Sequence, residues 1–433
     1  MDIMLALIQF ALITVILIRE VQRKSPGMFM WATLFLMFGA AHLWDVLTEV
    51  DPQRETVMEK ASMFVLVFCI FYIVTRELIG IGIRRKLYRH FSVVCRKDFT
   101  CNQTANILLT IFVVASLSIV WKLSHDSGGL LATSWANNRA IALADDYISF
   151  TAVCRILFNA LGGILAYSLL KKEKINAAVA LVCILFVELI TRDRVLILPL
   201  LVSIISIFVF RMKHIRLSGI FLGLVGAITV IYIVYAIRAF RWTGTLENAF
   251  IDFSFAAIND RVKLFLATSD GELGLRKWFY YFIEHNNQFT DFGEGHTYLR
   301  MLLVYIPTRF SLGIKPNDFA KSMGAAIGMS EGGSMHPTLF GDCYANLGIF
   351  GVLFGIFWAI MVHFQDTIIL KFKHIDYEVL AFVLFGTANV IMARGAVYNG
   401  FVNIAWGIPI LIVSSLITAR YSIPRIGFKV KKY

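Results

Sequence analysis

The feature that most constrains the fold of this chain is the recurrence of apolar runs long enough to cross a lipid bilayer. Such runs occur from one end of the sequence to the other, and the first reads IMLALIQFALITVILI. Hydrocarbon offers no water to the backbone, so a helix, which satisfies its own N–H and C=O groups, is the natural spanning structure. The sequence therefore predicts an all-α, polytopic transmembrane helical bundle.

Composition supports this fold class and excludes an ordinary soluble domain. The 433 residues are 58% hydrophobic and 16% charged, and the mean hydropathy is +0.71. The first apolar run has no basic stretch before it and no small-residue cleavage site after it, which indicates a retained helix rather than a signal peptide. The six cysteines show neither a CxxC pair nor ligand spacing. We expect no disulfide, no metal site and no cofactor.

The basic residues between the apolar runs indicate how the helices are oriented. Six basic segments occupy alternate loops, among them REVQRK (19–24) and KKEK (171–174). Because cytoplasmic loops carry the excess of Lys and Arg, the amino terminus is predicted outside and the carboxyl terminus in the cytoplasm. The net charge of +12 then marks a membrane face rather than a nucleic-acid partner. About eleven spans are predicted, at roughly 3–18, 28–44, 62–79, 106–122, 147–170, 176–190, 195–210, 217–238, 337–364, 377–395 and 400–419.

This map divides the chain into three regions. Residues 1–238 hold the first eight predicted spans, residues 239–336 form one large loop outside, and residues 337–433 hold the last three spans and a basic tail. The loop alternates amphipathic stretches, such as AFIDFSFAAINDRVKLFLA and RKWFYYFIEHNN, with glycine-rich turns. Helices of this kind tend to lie in the membrane interface, with their aromatic residues at headgroup depth.

Charged residues interrupt the apolar pattern between the sixth and seventh spans. Arg192, Asp193 and Arg194 fill a tight outer hairpin in ELITRDRVLILP. An arginine at mid-bilayer costs about 2.5–3.5 kcal/mol, so these side chains should face a cavity, each other or the headgroups. They are either an interfacial Arg–Asp pair or a diphosphate clamp, since a guanidinium binds phosphate oxygens through two donors. Arg155, within the fifth span, needs a partner in the bundle, and Glu188 is the candidate.

Further arginines lie on the predicted outer side, against the charge pattern. Arg238 and Arg241 end the eighth span on one helix face, Arg309 lies in the large loop, and Arg394 closes the tenth span. They indicate either scattered contacts with lipid headgroups or a site for an anionic partner such as a lipid diphosphate. Both interpretations stay open at this point.

The segment SMHPTLFGDCYANLGIFGVLFG (334–355) begins an apolar run with polar residues. His336 lies at the outer mouth of the ninth span, and Pro337 suits the first turn of a helix. Asp342, Tyr344 and Asn346 follow within the run, and lipid would penalise them, so we expect them to face a cavity. An imidazole with a pKa of about 6.5 can accept a proton at neutral pH. A histidine at a membrane boundary is also often only an interfacial residue.

Four segments, in order, carry a resemblance to a known family: TRDRVLILPLL, YIPTRFSLGIKP, MHPTLFGDCYANLGIFG and MARGAVYNGFV. They resemble the bacterial O-antigen and oligosaccharide repeat-unit polymerases of the Wzy type, over residues 192–402. The earlier residues match only as a run of membrane helices. The HPTL segment is also similar to that of the O-antigen ligases, in which a histidine there is thought to act on the acceptor hydroxyl. The resemblance implies a GT-C-like fold in the bacterial inner membrane, with the active site facing the periplasm.

The resemblance also implies the chemistry. A chain linked to undecaprenyl diphosphate is the donor, a hydroxyl of a new repeat unit attacks its anomeric carbon with inversion, and undecaprenyl diphosphate leaves. His336 is then the base, oriented by Asp342, and fixed cations stabilise the leaving group without a metal. The expected partners are the undecaprenyl-diphosphate-linked oligosaccharide, membrane lipids and a separate chain-length regulator. The candidate diphosphate ligands are Arg192, Arg194, Arg238, Arg241, Arg309 and Arg394.

Other functions stay open on the sequence alone. An O-antigen ligase would transfer the glycan to lipid A core instead of to another repeat unit. A lipid-linked oligosaccharide flippase or other transporter would place charges through the midplane of many helices and show related halves, whereas here the charges gather at outer ends and in one loop. A purely structural membrane component is the remaining alternative.

Overall fold

The described part of the chain is helical throughout its regular structure. The computed structural model describes residues 3–48, 55–94, 102–136, 138, 148–193, 195–211, six separate positions between 226 and 236, 244–251, 254–267, 273–287, 296–306, 310–326, 336–372 and 375–421. No β-strand occurs within these ranges. Nine segments within them are long and apolar enough, by length and composition, to cross a membrane. The predicted all-α, polytopic membrane class is confirmed.

Most of the long helices overlap the predicted spans, and the helix Glu55–Val94 extends well beyond the predicted span 62–79. A π-helical turn, Phe35–Ala40, joins the helices Gly27–Leu34 and Ala41–Leu47. The eighth predicted span, 217–238, lies mostly outside the described residues. The long helices and the segments joined to them are α1 (Ile3–Arg23), α2 (Gly27–Leu34), α3 (Ala41–Leu47), α4 (Glu55–Val94), α5 (Asn102–Asp126), α6 (Ile148–Lys171), α7 (Lys174–Thr191) and α8 (Leu198–Arg211).

Within the described residues, five short α-helices lie in the predicted large loop and four α-helices follow it. In the loop are α9 (Leu246–Ile251), α10 (Phe255–Ala267), α11 (Arg276–Glu284), α12 (His296–Leu302) and α13 (Phe319–Ala326). After it come α14 (Thr338–Leu347), α15 (Phe354–Lys371), α16 (Ile375–Arg394) and α17 (Val397–Tyr421). We call the end of the bundle where α14 and α17 begin the His336 end, and the opposite end the Arg76 end.

The ninth predicted span is not one straight helix. Gly348, with φ of +56°, ends α14 in a conformation that a side chain rarely adopts, and a 3-10 turn (Gly348–Leu353) leads into α15. A Cβ on Gly351 would lie 2.4 Å from the carbonyl oxygen of Cys343, so the turn folds tightly back on α14. The break separates α14, which packs inside the protein, from the longer helix that follows.

One prediction for the large loop is wrong. The helix formed by RKWFYYFIEHNN, α11, does not rest its aromatic face on lipid headgroups but packs it within the protein. Phe279 is fully buried against Phe38 and Phe64, and the Tyr280 hydroxyl lies 2.6 Å from His42 Nδ1. An amphipathic pattern shows that a helix has an apolar face, but protein and lipid can both cover that face. Helix α10, in contrast, exposes 78% of Phe255 and 58% of Leu264, as an interfacial helix would.

A buried ionic cluster joins three helices at the Arg76 end, and the sequence did not predict it. Arg76 of α4 donates to both carboxylate oxygens of Glu20 at 2.9 and 3.0 Å, and it also pairs with Asp366 of α15. None of these three side chains is more than 2% exposed. Arg23 adds a second cation at 3.1 Å from Glu20. Each charge is thereby paired where water is excluded.

We expect Arg76→Met to destabilise the protein by about 3 to 5 kcal/mol, because Glu20 and Asp366 would remain buried without their shared cation. The matched control is Arg19→Met, whose side chain is 45% exposed and pairs with Glu77; we expect a change of at most about 1 kcal/mol. Thermal unfolding in detergent measures both. Equal unfolding temperatures for the two variants would show that the cluster contributes nothing.

Candidate functional site

The chain around His336 is held in an unusual conformation. Pro337 occupies the N-cap position of α14, and the next residue, Thr338, has φ of +68°. A β-branched side chain rarely adopts that angle, which costs about 1–3 kcal/mol. The Thr338 hydroxyl accepts a hydrogen bond from the Gly341 N–H at 3.4 Å, which helps to hold the turn. Backbone strain of this kind clusters at functional sites, and it supports a functional interpretation of His336.

Helix α14 is surrounded by protein, which explains how an apolar run can carry a carboxylate. Eight of its ten residues are buried, and Asp342 is only 3% exposed. Gly341 packs against Phe279 in α11, and a Cβ on Gly341 would lie 3.4 Å from Phe279 Cα, at ordinary van der Waals distance. Asn287, just after α11, donates to the Ala345 carbonyl at 3.0 Å. Asp342 therefore faces other helices rather than lipid.

Asp342 links α14 to the first residue of α17. Its Oδ2 accepts a hydrogen bond from the Val397 N–H at 2.9 Å, and its Oδ1 accepts one from Asn346 Nδ2 at 3.0 Å. The Val397 N–H belongs to the first turn of a helix, where backbone donors have no partner inside the helix. A carboxylate at that position is also favoured by the helix dipole. Asp342 thus has a structural function in addition to any catalytic one.

His336 contacts the same turn as Asp342. A Cβ on Gly395 would lie 3.4 Å from His336 Nδ1, so the imidazole lies beside the Gly395 backbone. Gly395 follows Arg394, the last residue of α16, whose side chain is 8% exposed. The structure therefore brings two predicted catalytic residues to the turn between α16 and α17, and a third predicted residue, Arg394, is part of that turn.

A small recess opens beside Asp342, and the sequence did not point to most of the residues around it. Arg300 is one of them, and its guanidinium lies 4.6 Å from the centre of the Tyr398 ring. Lys315 Nζ lies 5.8 Å from the same centre. Burial, together with the positive charge of Arg300, lowers the pKa of Lys315. The recess is lined by Tyr298, Arg300, Met301, Phe319, Asp342, Val397 and Tyr398.

Other polar contacts surround this recess. The Tyr298 hydroxyl lies 3.2 Å from the Cys343 sulfur, and burial is the main reason that the pKa of Tyr298 is raised. Asp318 is close enough to Asp342 and Tyr398 to act on them electrostatically. Within the described residues, no group of three or more His, Cys, Asp or Glu side chains has a metal-binding arrangement. The candidate site consists of cations, the carboxylates of Asp342 and Asp318, one imidazole and tyrosines.

The remaining predicted arginines lie elsewhere or outside the described residues. Arg192 is 1% exposed, and its guanidinium donates to the Thr133 carbonyl at 2.8 Å, in the loop that follows α5. The expected partner of Arg155 is wrong: Arg155 lies 3.6 Å from Asp193 and not beside Glu188, because the turn after α7 carries Asp193 back towards α6. Four predicted diphosphate ligands lie outside the described residues: Arg194, Arg238, Arg241 and Arg309.

No protein-family model, curated protein or solved structure matches this chain. The resemblance to repeat-unit polymerases therefore stays a prediction from the sequence, and the function has to be argued from the site itself.

We expect Asp342→Ala to destabilise the protein by about 1–3 kcal/mol, because the buried Val397 N–H would lose its acceptor. Asp342→Asn retains a side-chain oxygen for that N–H and should cost less. Thermal unfolding of the purified variants in detergent provides the measurement. If Asp342→Ala unfolds at the same temperature as the unsubstituted protein, the link between α14 and α17 is not a structural one.

Proposed function

We propose that this protein is a membrane glycosyltransferase that polymerises undecaprenyl-diphosphate-linked oligosaccharide repeat units of an O-antigen or similar surface polysaccharide. The observation that carries the proposal is the meeting of His336 and Asp342 at the turn that follows Arg394. An imidazole and a carboxylate thereby lie at one turn of a helical bundle, next to a recess, and Arg394 directly precedes that turn. The same set would serve a transfer reaction in which an anionic lipid leaves.

In the proposed reaction, His336 accepts the proton of an acceptor hydroxyl as its oxygen bonds to the anomeric carbon of the nascent chain. The bond from that carbon to the diphosphate oxygen breaks, and undecaprenyl diphosphate leaves with the bonding electrons. The leaving group needs positive charge more than a proton donor, and arginine supplies that charge without titrating. A single displacement inverts the anomeric configuration. No metal is required for these steps.

The proposal places the His336 end at the periplasmic face of the bacterial inner membrane. Its support is the predicted orientation, in which basic loops face the cytoplasm. A ligase of the same superfamily is the second candidate, because it would need the same base and cations. The flippase alternative is less well supported: the buried ionic cluster around Arg76 lies close to the ends of α1 and α15 and not at the midplane.

We expect His336→Ala and Arg194→Ala to insert normally into the membrane and to yield only single-repeat glycans in a strain that lacks the native gene. The first variant lacks the proposed base and the second lacks a proposed diphosphate ligand. The matched control is His125→Ala, since His125 lies at the His336 end of α5 with its side chain 71% exposed. Glycan ladders on gels report the chain length. Normal ladders from both His336→Ala and Arg194→Ala would exclude this site.

The orientation is tested by cysteine labelling. In a background with Cys95 and Cys101 replaced by serine, we expect Lys263→Cys on α10 to react with a membrane-impermeant maleimide from the periplasm. Lys371→Cys, at the far end of α15, should react only after the inner membrane is opened. Both positions are exposed in the structure. The opposite pattern would reverse the proposed orientation and place His336 in the cytoplasm.

A further inference from the structure

A proline inside α17 leaves one backbone carbonyl without its helical hydrogen bond, and a residue of the large loop supplies a donor to that carbonyl. Pro409 lies within this helix and has no N–H, so the carbonyl of Ala405, four residues earlier, lacks its helical donor. The hydroxyl of Tyr305, from the loop, donates to that carbonyl at 2.6 Å. The Tyr305 ring also packs edge-on against Trp406, with 5.3 Å between the ring centres. A carbonyl without a hydrogen bond is energetically unfavourable in hydrocarbon, so the hydrogen bond from Tyr305 stabilises α17.

The position of Ala405 along α17 indicates how deep in the predicted membrane span the loop residue Tyr305 lies. Ala405 follows Val397 by eight residues, which is about 12 Å along a helix at 1.5 Å per residue. The hydrocarbon core of a bilayer is about 30 Å thick, so Tyr305 reaches deep into the span Val397–Leu416. Part of the predicted periplasmic loop therefore runs along α17 at membrane depth.

The described part of residues 302–314 is suited to contact with lipid. We call the described residues 302–306 and 310–314 the hairpin. Four of its apolar side chains are strongly exposed, with exposed fractions of 81% for Leu302, 63% for Phe310, 91% for Leu312 and 62% for Ile314. Its turns satisfy backbone groups internally, as in the bond from the Ile314 N–H to the Ser311 carbonyl at 2.9 Å. Internal bonding of this kind is what a non-helical segment needs at membrane depth.

The two ends of the hairpin carry the cations described above. Arg300 precedes it and Lys315 follows it, and both lie over Tyr398, one residue after the start of α17. Arg300 donates to the Pro316 carbonyl and Lys315 to the Ile306 carbonyl, which links the two described arms of the hairpin. Arg300 Nε is buried without a hydrogen-bond acceptor from the described residues. Neither cation forms a salt bridge with a carboxylate in the described parts of the chain.

Two partly or largely buried cations beside exposed apolar side chains match an amphiphile with an anionic head and a long hydrocarbon tail. We propose that Arg300 and Lys315 bind the diphosphate of a polyprenyl carrier lipid and that the hairpin packs along its isoprenoid chain. The bound phosphate oxygens would accept hydrogen bonds from Arg300 Nε and from free Lys315 donors. Arg300 and Asp342 line the same small recess, which places the head group next to the candidate catalytic turn. The identity of the lipid rests on the proposed function.

The test is binding of undecaprenyl diphosphate to the purified full-length protein in detergent. A thermal-shift titration measures the dissociation constant. We expect Arg300→Gln and Lys315→Gln each to raise the dissociation constant about tenfold or more, because each removes a charge-assisted contact. Arg300→Lys keeps the cation and should retain most of the affinity. The control Lys263→Gln changes a lysine that is 69% exposed and should leave binding unchanged.

A second pair of measurements tests the lipid tail. Leu312→Asn removes the apolar side chain. Asparagine tolerates the φ of +50° that position 312 has, so the backbone can stay as it is. We expect it to weaken binding of undecaprenyl diphosphate several-fold and to leave binding of inorganic pyrophosphate unchanged. Undecaprenol, which lacks the diphosphate, should bind more weakly than the diphosphate by about tenfold or more.

The following outcomes would overturn the assignment. Unchanged affinity in both Arg300→Gln and Lys315→Gln would show that these cations do not hold the head group. Equal affinity for inorganic pyrophosphate and undecaprenyl diphosphate would show a site for free phosphate, and equal competition by phosphatidylglycerol would show a general phospholipid site. A different result would show that the proposed polymerase function is wrong while the lipid site is right. In that case the variants change binding as expected, but a strain without the protein still makes a normal glycan ladder.

Discussion

The inability of hydrocarbon to solvate polar groups determines most of what is unusual in this protein. Each polar group inside the bundle has to find its partner in the protein. Arg76 is buried between Glu20 and Asp366, Asp342 accepts the Val397 N–H, and the Ala405 carbonyl receives the Tyr305 hydroxyl. Each of these contacts joins segments that are distant in sequence. The same physical requirement therefore fixes the packing of the helices and the position of the candidate site.

The candidate site is built on α14, a helix from an apolar run that is packed inside the protein and not against lipid. Because Gly348 ends α14 early and α11 covers it, the first turns of an apolar run become an interior surface that can hold Asp342. The turn after Arg394 then brings Gly395 beside His336 and Val397 beside Asp342. A rigid helix and a short turn position these groups, which is the kind of support that precise chemistry requires.

The sequence was sufficient for the fold class and for part of the site. Apolar runs of spanning length predicted the helices, and the polar residues of HPTLFGDCYAN predicted that α14 would not face lipid. The sequence could not show that α11 packs on Phe38 and Phe64, because an amphipathic pattern does not say what covers the apolar face. It also gave no sign of the pairing of Arg76 with Asp366, which are separated by 290 positions.

One missed contact did have a signal in the sequence. A proline in an apolar span leaves a carbonyl without a donor, so Pro409 predicts that some other group must reach Ala405. The donor itself, Tyr305, lies 100 positions away and could be found only from the structure. The chemical roles of His336, Asp342 and the arginines stay predictions.

We propose that this protein joins lipid-linked repeat units at the His336 end. The most direct test is to incubate the purified protein in proteoliposomes with undecaprenyl-diphosphate-linked repeat units from its host and to follow the products by mass spectrometry. The account predicts glycans of two and more repeats on the carrier, with release of one undecaprenyl diphosphate for each bond formed. Repeat units that stay single, or that are transferred only to added lipid A core, would contradict it.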